Sequence, residues 1–285
     1  MKRVAVVGAG TMGHGIAQAA AVAGYETALT DSNPEILQPA LDRIAQNLNG
    51  GIKRGKITEE LAAAARARIA PHRDLAAAAA DADLVIEAII EDLDVKRDLF
   101  RQLDELCAPN AVLASNTSSL SIAAIARATS RPNRVLGMHF FNPVHIMKLV
   151  ELVRHEGTDD GVIARAREAA ERMGKDPILV IDSPGFASSR LGVVLGLEAM
   201  RMVEQGVASP EDIDKALELG YGHPMGPLRV SDLVGLDVRL AVAEYLHREL
   251  KAPHYEPPAL LRNKVAAGDL GKKTGTGFYE WPPNK

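Results

Sequence analysis

Two sets of residues have types and spacings that point to chemistry. The first is Gly8, Gly10 and Gly13, with Thr11 and Met12 between the last two, followed 18 residues later by Asp31. The glycines fit G-x-G-x-x-G, leaving an apolar run and opening a helical pattern. In that context the first glycine allows a tight turn and the second lets a pyrophosphate approach the backbone. The third lets helix and strand pack closely. The helix start offers unpaired N–H groups and partial positive charge to phosphates. A carboxylate at 31 suits ribose hydroxyls and repels a 2′-phosphate, and Ser32, Asn33 and Pro34 add no arginine. The expected ligand is NAD rather than NADP.

The second set is Ser118, His139 and Glu151. Oxidising an alcohol beside a nicotinamide releases a hydride and a proton. An imidazole, with a free pKa of ~6.5, suits the proton. A carboxylate on its other nitrogen fixes the tautomer, and a serine hydroxyl orients the substrate oxygen. Each residue also has a plain structural role open to it. Ser118 and Ser119 can cap the next helix, His139 can sit satisfied in the core, and Glu151 can be a solvated strand residue. Spacing alone does not choose.

The elements that must hold these residues follow from periodicity. Strands are expected at 4–7, 26–30, 84–88, 112–115, 135–140, 149–153 and 178–181. Helices are expected at 14–23, 34–49, 58–68, 93–107, 122–128 and 159–173, with Gly50 and Gly51 separating the second from the third. This alternation predicts an α/β, Rossmann-like, doubly wound and mainly parallel sheet. A turn containing Asn142 and Pro143 would return the chain so that Glu151 faces His139. Beyond Ser183, Pro184 and Gly185 the pattern becomes helical, with Ser209 as an N-cap and Pro210 at the first helical position. The expected domains are 1–183, binding NAD, and 184–285, an all-helical C-terminal domain.

Totals narrow the classes. With 285 residues, 47% hydrophobic and 25% charged, the chain has the composition of a globular protein with ample core. A net charge of −4 argues against nucleic acid as partner. Glycines interrupt the apolar start too early for a signal peptide, and no uncharged run is long enough to cross a bilayer, so no membrane association is expected. The single cysteine, Cys107, reads as a small buried residue at a helix end, and a cytoplasmic location is expected.

The chain also resembles the short-chain L-3-hydroxyacyl-CoA dehydrogenases of fatty-acid β-oxidation over essentially its whole length. The resemblance rests on Gly8 to Ala17; on Val85 to Ala88 with Glu91 and Lys96; and on Ser115 to Leu120. It continues through Gly137 to Val144, Met147 to Glu151, Asp182 to Phe186, Gly222 to Pro227 and Lys273 to Tyr279. It implies His139 as catalytic base, Glu151 as its partner and Ser118 in substrate positioning. It implies NAD contacts at Asp31, Glu91, Lys96, Ser118 and Asn142. It implies CoA contacts at Asn47 and Arg54, with Lys53 as neighbour, in a basic cluster with Lys56 that reads equally as a solvated helix end. An acyl-CoA substrate and a homodimer follow from the same resemblance; no metal is expected. One departure stands out. Ser189 occupies the place, three residues after Phe186, where the family commonly has a substrate-side asparagine. Two other readings are a sugar-acid dehydrogenase of the L-gulonate type and a catalytically silent NAD-binding protein.

Overall fold

The computed structural model describes residues 1–282, so 283–285 of the expected second domain lie outside the described residues. The chain divides into two compact units, Met1–Ser183 and Pro184–Lys285.

The first unit runs β1 (Arg3–Val7), α1 (Gly13–Val22), β2 (Glu26–Thr30), α2 (Leu37–Lys53), α3 (Glu59–Ala67), β3 (Ile69–His72), α4 (Leu75–Ala79) and β4 (Leu84–Glu87). It continues with α5 (Leu93–Leu106), β5 (Val112–Ser115), α6 (Ile122–Ala126), β6 (Val135–Phe140), β7 (Leu149–Arg154), α7 (Asp160–Arg172) and β8 (Asp176–Ile181). The eight strands form one sheet in the order β3-β2-β1-β4-β5-β6-β7-β8. All neighbours are parallel except β6 and β7. The strand order reverses between β1 and β4, the place where open α/β sheets bind ligands. Every residue of β4, β5 and β6 is buried, so both faces of the central sheet are covered. This is why these strands read as unbroken apolar runs rather than alternating ones.

Besides the short helix α4, which the expected helices do not include, two details differ from the sequence expectation. Gly50 and Gly51 do not end a helix, because α2 runs through them to Lys53. A Cβ on Gly51 would stand 2.9 Å from Ile57 Cγ2, so glycine there serves a close approach of the returning chain. The turn itself comes at Gly55, whose φ of +64° glycine adopts without strain. The other detail is β3, an edge strand containing Pro71, which the sequence reading passed over. Cys107 caps the end of α5 and is buried, and burial pushes its thiol up to about 11.

The second unit contains α8 (Ser188–Glu204), α9 (Pro210–Tyr221), α10 (Pro227–Val234), α11 (Leu236–Leu250) and α12 (Ala259–Ala267). Ser209 caps α9 by accepting from Asp212 N, with Pro210 in the first turn. Val193, Leu197, Met200, Leu228, Leu246 and Leu261 lie in one apolar cluster. Beyond the helices, isolated antiparallel bridges link Gly271 with Thr276 and Thr276 with Glu280.

Candidate active site

The β1–α1 turn uses its three glycines in three ways. Gly8 has φ +103°, and a Cβ there would sit 2.5 Å from Ala88 O. At Gly13 a Cβ would fall 1.6 Å from Gly8 O, so helix and turn touch with no side chain between them. Gly10 is different: a Cβ would meet nothing within 4 Å. Among the described residues no contact demands glycine at 10, and the room it leaves suits a pyrophosphate against the backbone. Thr11 is exposed and Met12 half-buried at this opening.

Asp31 closes β2 beside the loop. Its Oδ2 accepts from Ala9 N at 2.8 Å and its Oδ1 from Asn33 N at 2.9 Å. A carboxylate has about four lone-pair sites, so both oxygens retain acceptor capacity for ribose hydroxyls. The residues present therefore fit a dinucleotide.

At the ends of β4 and β5 lies a buried polar cluster. Glu87, the last residue of β4, accepts from Lys96 Nζ at 2.5 Å, Ser115 Oγ at 2.6 Å and Ile89 N at 2.8 Å. Lys96 is 1% exposed, and its ammonium also reaches Glu91 Oε2 at 3.4 Å. Glu91 Oε1 accepts from Thr117 Oγ1, Ser118 N and Ser118 Oγ at 2.6, 3.0 and 3.3 Å. Ser118 thus belongs to this cluster, and the cap of α6 is Ser121 rather than Ser118 or Ser119.

The antiparallel pairing of β6 and β7 sets His139 directly opposite Glu151. Opposed residues of such a pair project from the same face with close Cβ atoms. His139 Nδ1 and Glu151 Oε2 are 2.7 Å apart, with the carboxylate fully buried. Phe141 lies against the imidazole, ring centroids 4.4 Å apart. Asn116 Oδ1 accepts from Phe140 N at 2.8 Å, tying the Ser118 loop to the strand of His139. Asn142 follows that strand and is exposed.

A cavity of about 520 Å³ lies elsewhere on the first unit, lined by Asn47, Arg54, Lys56, His145, Lys148 and Lys175 among others. Its size is that of a small-molecule site and its cations suit phosphates. Asn47 Nδ2 donates to Gln18 Oε1 at 3.1 Å. Lys53 is exposed and is not part of the lining. Burial, and then the charge of Arg54, hold the His145 imidazolium below its ordinary range. Lys175, also lowered by burial, donates to Val144 O and to Met147 O at 2.9 Å, holding the segment between His139 and Glu151. Ser189 is the second residue of α8, in the second unit.

The sequence reading did not single out Glu87, Ser115 or Asn116 as site residues. The available signal was a carboxylate ending an apolar strand nine residues before a lysine.

The sheet and the groups at its carboxyl ends define a dinucleotide-dependent dehydrogenase. Comparison with known proteins narrows that class. Residues 3–183 match the model described as 3-hydroxyacyl-CoA dehydrogenase, NAD binding domain, and residues 185–281 match the C-terminal domain of the same family. The chain is 46% identical over 281 residues to a probable 3-hydroxybutyryl-CoA dehydrogenase of Bacillus subtilis, covering 99% of this chain and 98% of that one. It is 44% identical to a 3-hydroxyadipyl-CoA dehydrogenase of Escherichia coli, covering 99% of this chain and 59% of the relative. The crystal structure of (S)-3-hydroxybutyryl-CoA dehydrogenase from Ralstonia eutropha superposes with a TM-score of 0.95 at 44% identity, covering 99% of both chains. The chain belongs to the 3-hydroxyacyl-CoA dehydrogenase family, and its cofactor is NAD.

Proposed function

We propose that this chain interconverts L-3-hydroxyacyl-CoA and 3-oxoacyl-CoA, with His139 moving the hydroxyl proton. The observation that carries the reading is the His139–Glu151 pair, 2.7 Å apart at the end of the sheet. Glu151 accepts from Nδ1, so Nε2 is the nitrogen that takes the substrate proton, and the buried carboxylate stabilises the resulting imidazolium. Bound NAD supplies the acceptor for the hydride leaving C3. Ser118, oriented through Glu91, directs the substrate oxygen toward His139. In the reverse direction the imidazolium returns the proton to the alkoxide oxygen as C3 is reduced.

Asp31, Glu91, Lys96, Ser118 and Asn142 belong to the proposed cofactor site with the glycine loop. Asn47 and Arg54 are proposed CoA contacts, favoured over Lys53 by their place on the cationic cavity. Ser189 is proposed on the substrate side, where serine donates one bond with a shorter reach than asparagine. A homodimer is part of the same reading: Leu191, Val207, Leu219 and Tyr221 are exposed on the second unit and would be covered by a second copy. We place the protein in the cytoplasm, in keeping with a single buried thiol. Among the described residues no helix is long and apolar enough to cross a membrane.

The test is His139→Gln. Acetoacetyl-CoA reduction by NADH should fall about 100- to 10,000-fold with NADH affinity unchanged. A rate near wild type would overturn the assignment. In a companion measurement, Arg54→Ala should raise the KM for acetoacetyl-CoA more than Lys53→Ala does; no change in either favours a sugar-acid substrate.

A further inference from the structure

The cavity of the first unit carries charge of one sign. Arg54, Lys56, Lys148 and Lys175 line it, and no aspartate or glutamate does. Among the described residues Arg54, Lys56 and Lys148 form no ion pair. The whole chain has 37 acidic residues against 33 lysines and arginines, so the concentration of cations here is local. A concave surface lined by one sign of charge focuses its field on a ligand of the other. The backbone makes room for these groups. A Cβ on Gly50 would stand 3.2 Å from Arg54 Nη1 and 3.5 Å from Nη2, so glycine in the last turn of α2 lets the guanidinium lie against the helix. Lys175 donates to Val144 O and Met147 O, which pins the loop that carries His145.

Among the lining residues His145 is the group that titrates near neutral pH. It is half-buried, and the charged groups around it are Arg54 beyond α2, His14 on α1, Lys175 before β8 and Lys148 on its own loop. None of them is acidic. Burial first, and then Arg54, His14 and Lys175, favour the neutral imidazole. A phosphate in the cavity reverses that balance. It brings the missing negative charge and an acceptor for the imidazolium N–H, a charge-assisted bond.

We propose that His145 is a further CoA-binding residue, which takes up a proton when a phosphate of CoA enters the cationic cavity and so links the affinity for acyl-CoA to pH. The proposal rests on the CoA reading above. It adds a titrating contact, which Asn47 and Arg54 do not provide.

Below its pKa in the free protein His145 is charged with or without CoA. Above its pKa in the complex it is neutral in both, and the contact is lost. Between the two, binding takes up a proton, so affinity falls as pH rises. The 3′-phosphate of CoA, with a second ionisation near ~6, shifts the other way and releases its proton among cations. The informative quantity is therefore the difference between wild type and His145→Gln.

Calorimetric titration of CoA into each protein, in two buffers of different ionisation enthalpy at about pH 6.5, counts the protons exchanged. The wild type should take up more protons per CoA than His145→Gln, by up to about one. Its KM for acetoacetyl-CoA should rise up to about 10-fold more than that of the variant between about pH 6 and about pH 8. The pH midpoint of kcat, set by His139, should be the same in both. His145→Arg, with a permanent charge, should lose the proton excess and still bind CoA tightly at about pH 8. Titration with 3′-dephospho-CoA tells the phosphates apart: an excess that persists places His145 on the diphosphate, and one that disappears places it on the 3′-phosphate. Equal proton counts in wild type and His145→Gln, with NADH affinity unchanged, overturn the proposal. So does a pH dependence of KM that is the same in both. Failure of the wild type to bind CoA overturns the CoA reading itself.

Discussion

Buried carboxylates in the first unit face basic side chains, whereas those in the second are held mainly by backbone amides. Glu87 faces Lys96 and Glu151 faces His139, each pair within 2.7 Å. In the second unit, Asp214 accepts from Leu228 N and Arg229 N, and Asp232 accepts from Phe278 N and Tyr279 N. The difference is one of purpose. A carboxylate set against a titratable or cationic side chain can share or move a proton, or tune a charge beside a ligand. A carboxylate set against amides fixes the path of the chain. Asp232 shows this plainly. A Cβ on Gly277 would fall 2.3 Å from its Oδ1, and Trp281 Nε1 donates to its Oδ2 at 2.8 Å, so the segment after α12 is tied down by one side chain. Tyr279 donates its hydroxyl to Asp214 at 2.7 Å, and burial followed by that carboxylate pushes the phenol above its usual range.

The largest effect should come from splitting a pair. Lys96→Met leaves Glu87 buried with no cation, which should cost about 3–5 kcal/mol in urea unfolding. Combining it with Glu87→Gln should recover most of that stability while NADH affinity stays reduced, since Glu91 still lacks its ammonium. If the double variant is no more stable than Lys96→Met, the pair does not act as a unit and the contrast between the units fails.

Breaking a backbone clamp should cost somewhat less. Asp232→Ala removes the acceptor for two amides and an indole, worth about 2–3 kcal/mol. Amide hydrogen exchange should rise at Phe278 and Tyr279 first, with the Kd for NADH unchanged. Exchange that rises equally across both units would mean that Asp232 supports more than the segment it touches.

Legibility in the sequence follows the same division. The turn at the glycine loop, the place of Asp31 at the end of its strand and the facing of His139 and Glu151 could be read because each depends on local spacing along a strand, turn or hairpin, whereas the roles of the last two came from the family resemblance. Register converts a 12-residue separation into direct opposition across β6 and β7. The course of α2 past Gly50 and Gly51 could not be read, because glycine there answers to Ile57 across a turn and not to the helix. Strand β3 was hidden by Pro71, which an edge strand tolerates. Arg239 was hidden most deeply. In a helical pattern an arginine reads as solvent-facing, yet the fold buries this one beside Gly192 of α8.

The glycine loop offers the finest test, because its residues serve the two purposes side by side. Gly13→Ala would place a methyl 1.6 Å from Gly8 O, so it should unfold the β1–α1 turn. Gly10→Ala meets nothing within 4 Å of its new methyl. Without cofactor it should therefore melt at or slightly above the wild-type temperature, since replacing glycine at a compatible position restrains the unfolded chain. With cofactor the methyl enters the space required by the pyrophosphate. Overpacking of that kind costs ~1–3 kcal/mol, or about 5- to 150-fold in the Kd for NADH. Fluorescence titration measures the affinity and a melt without cofactor measures the fold. Loss of both together at Gly10 would mean that this glycine serves the chain after all, and the cofactor site would have to be drawn without it.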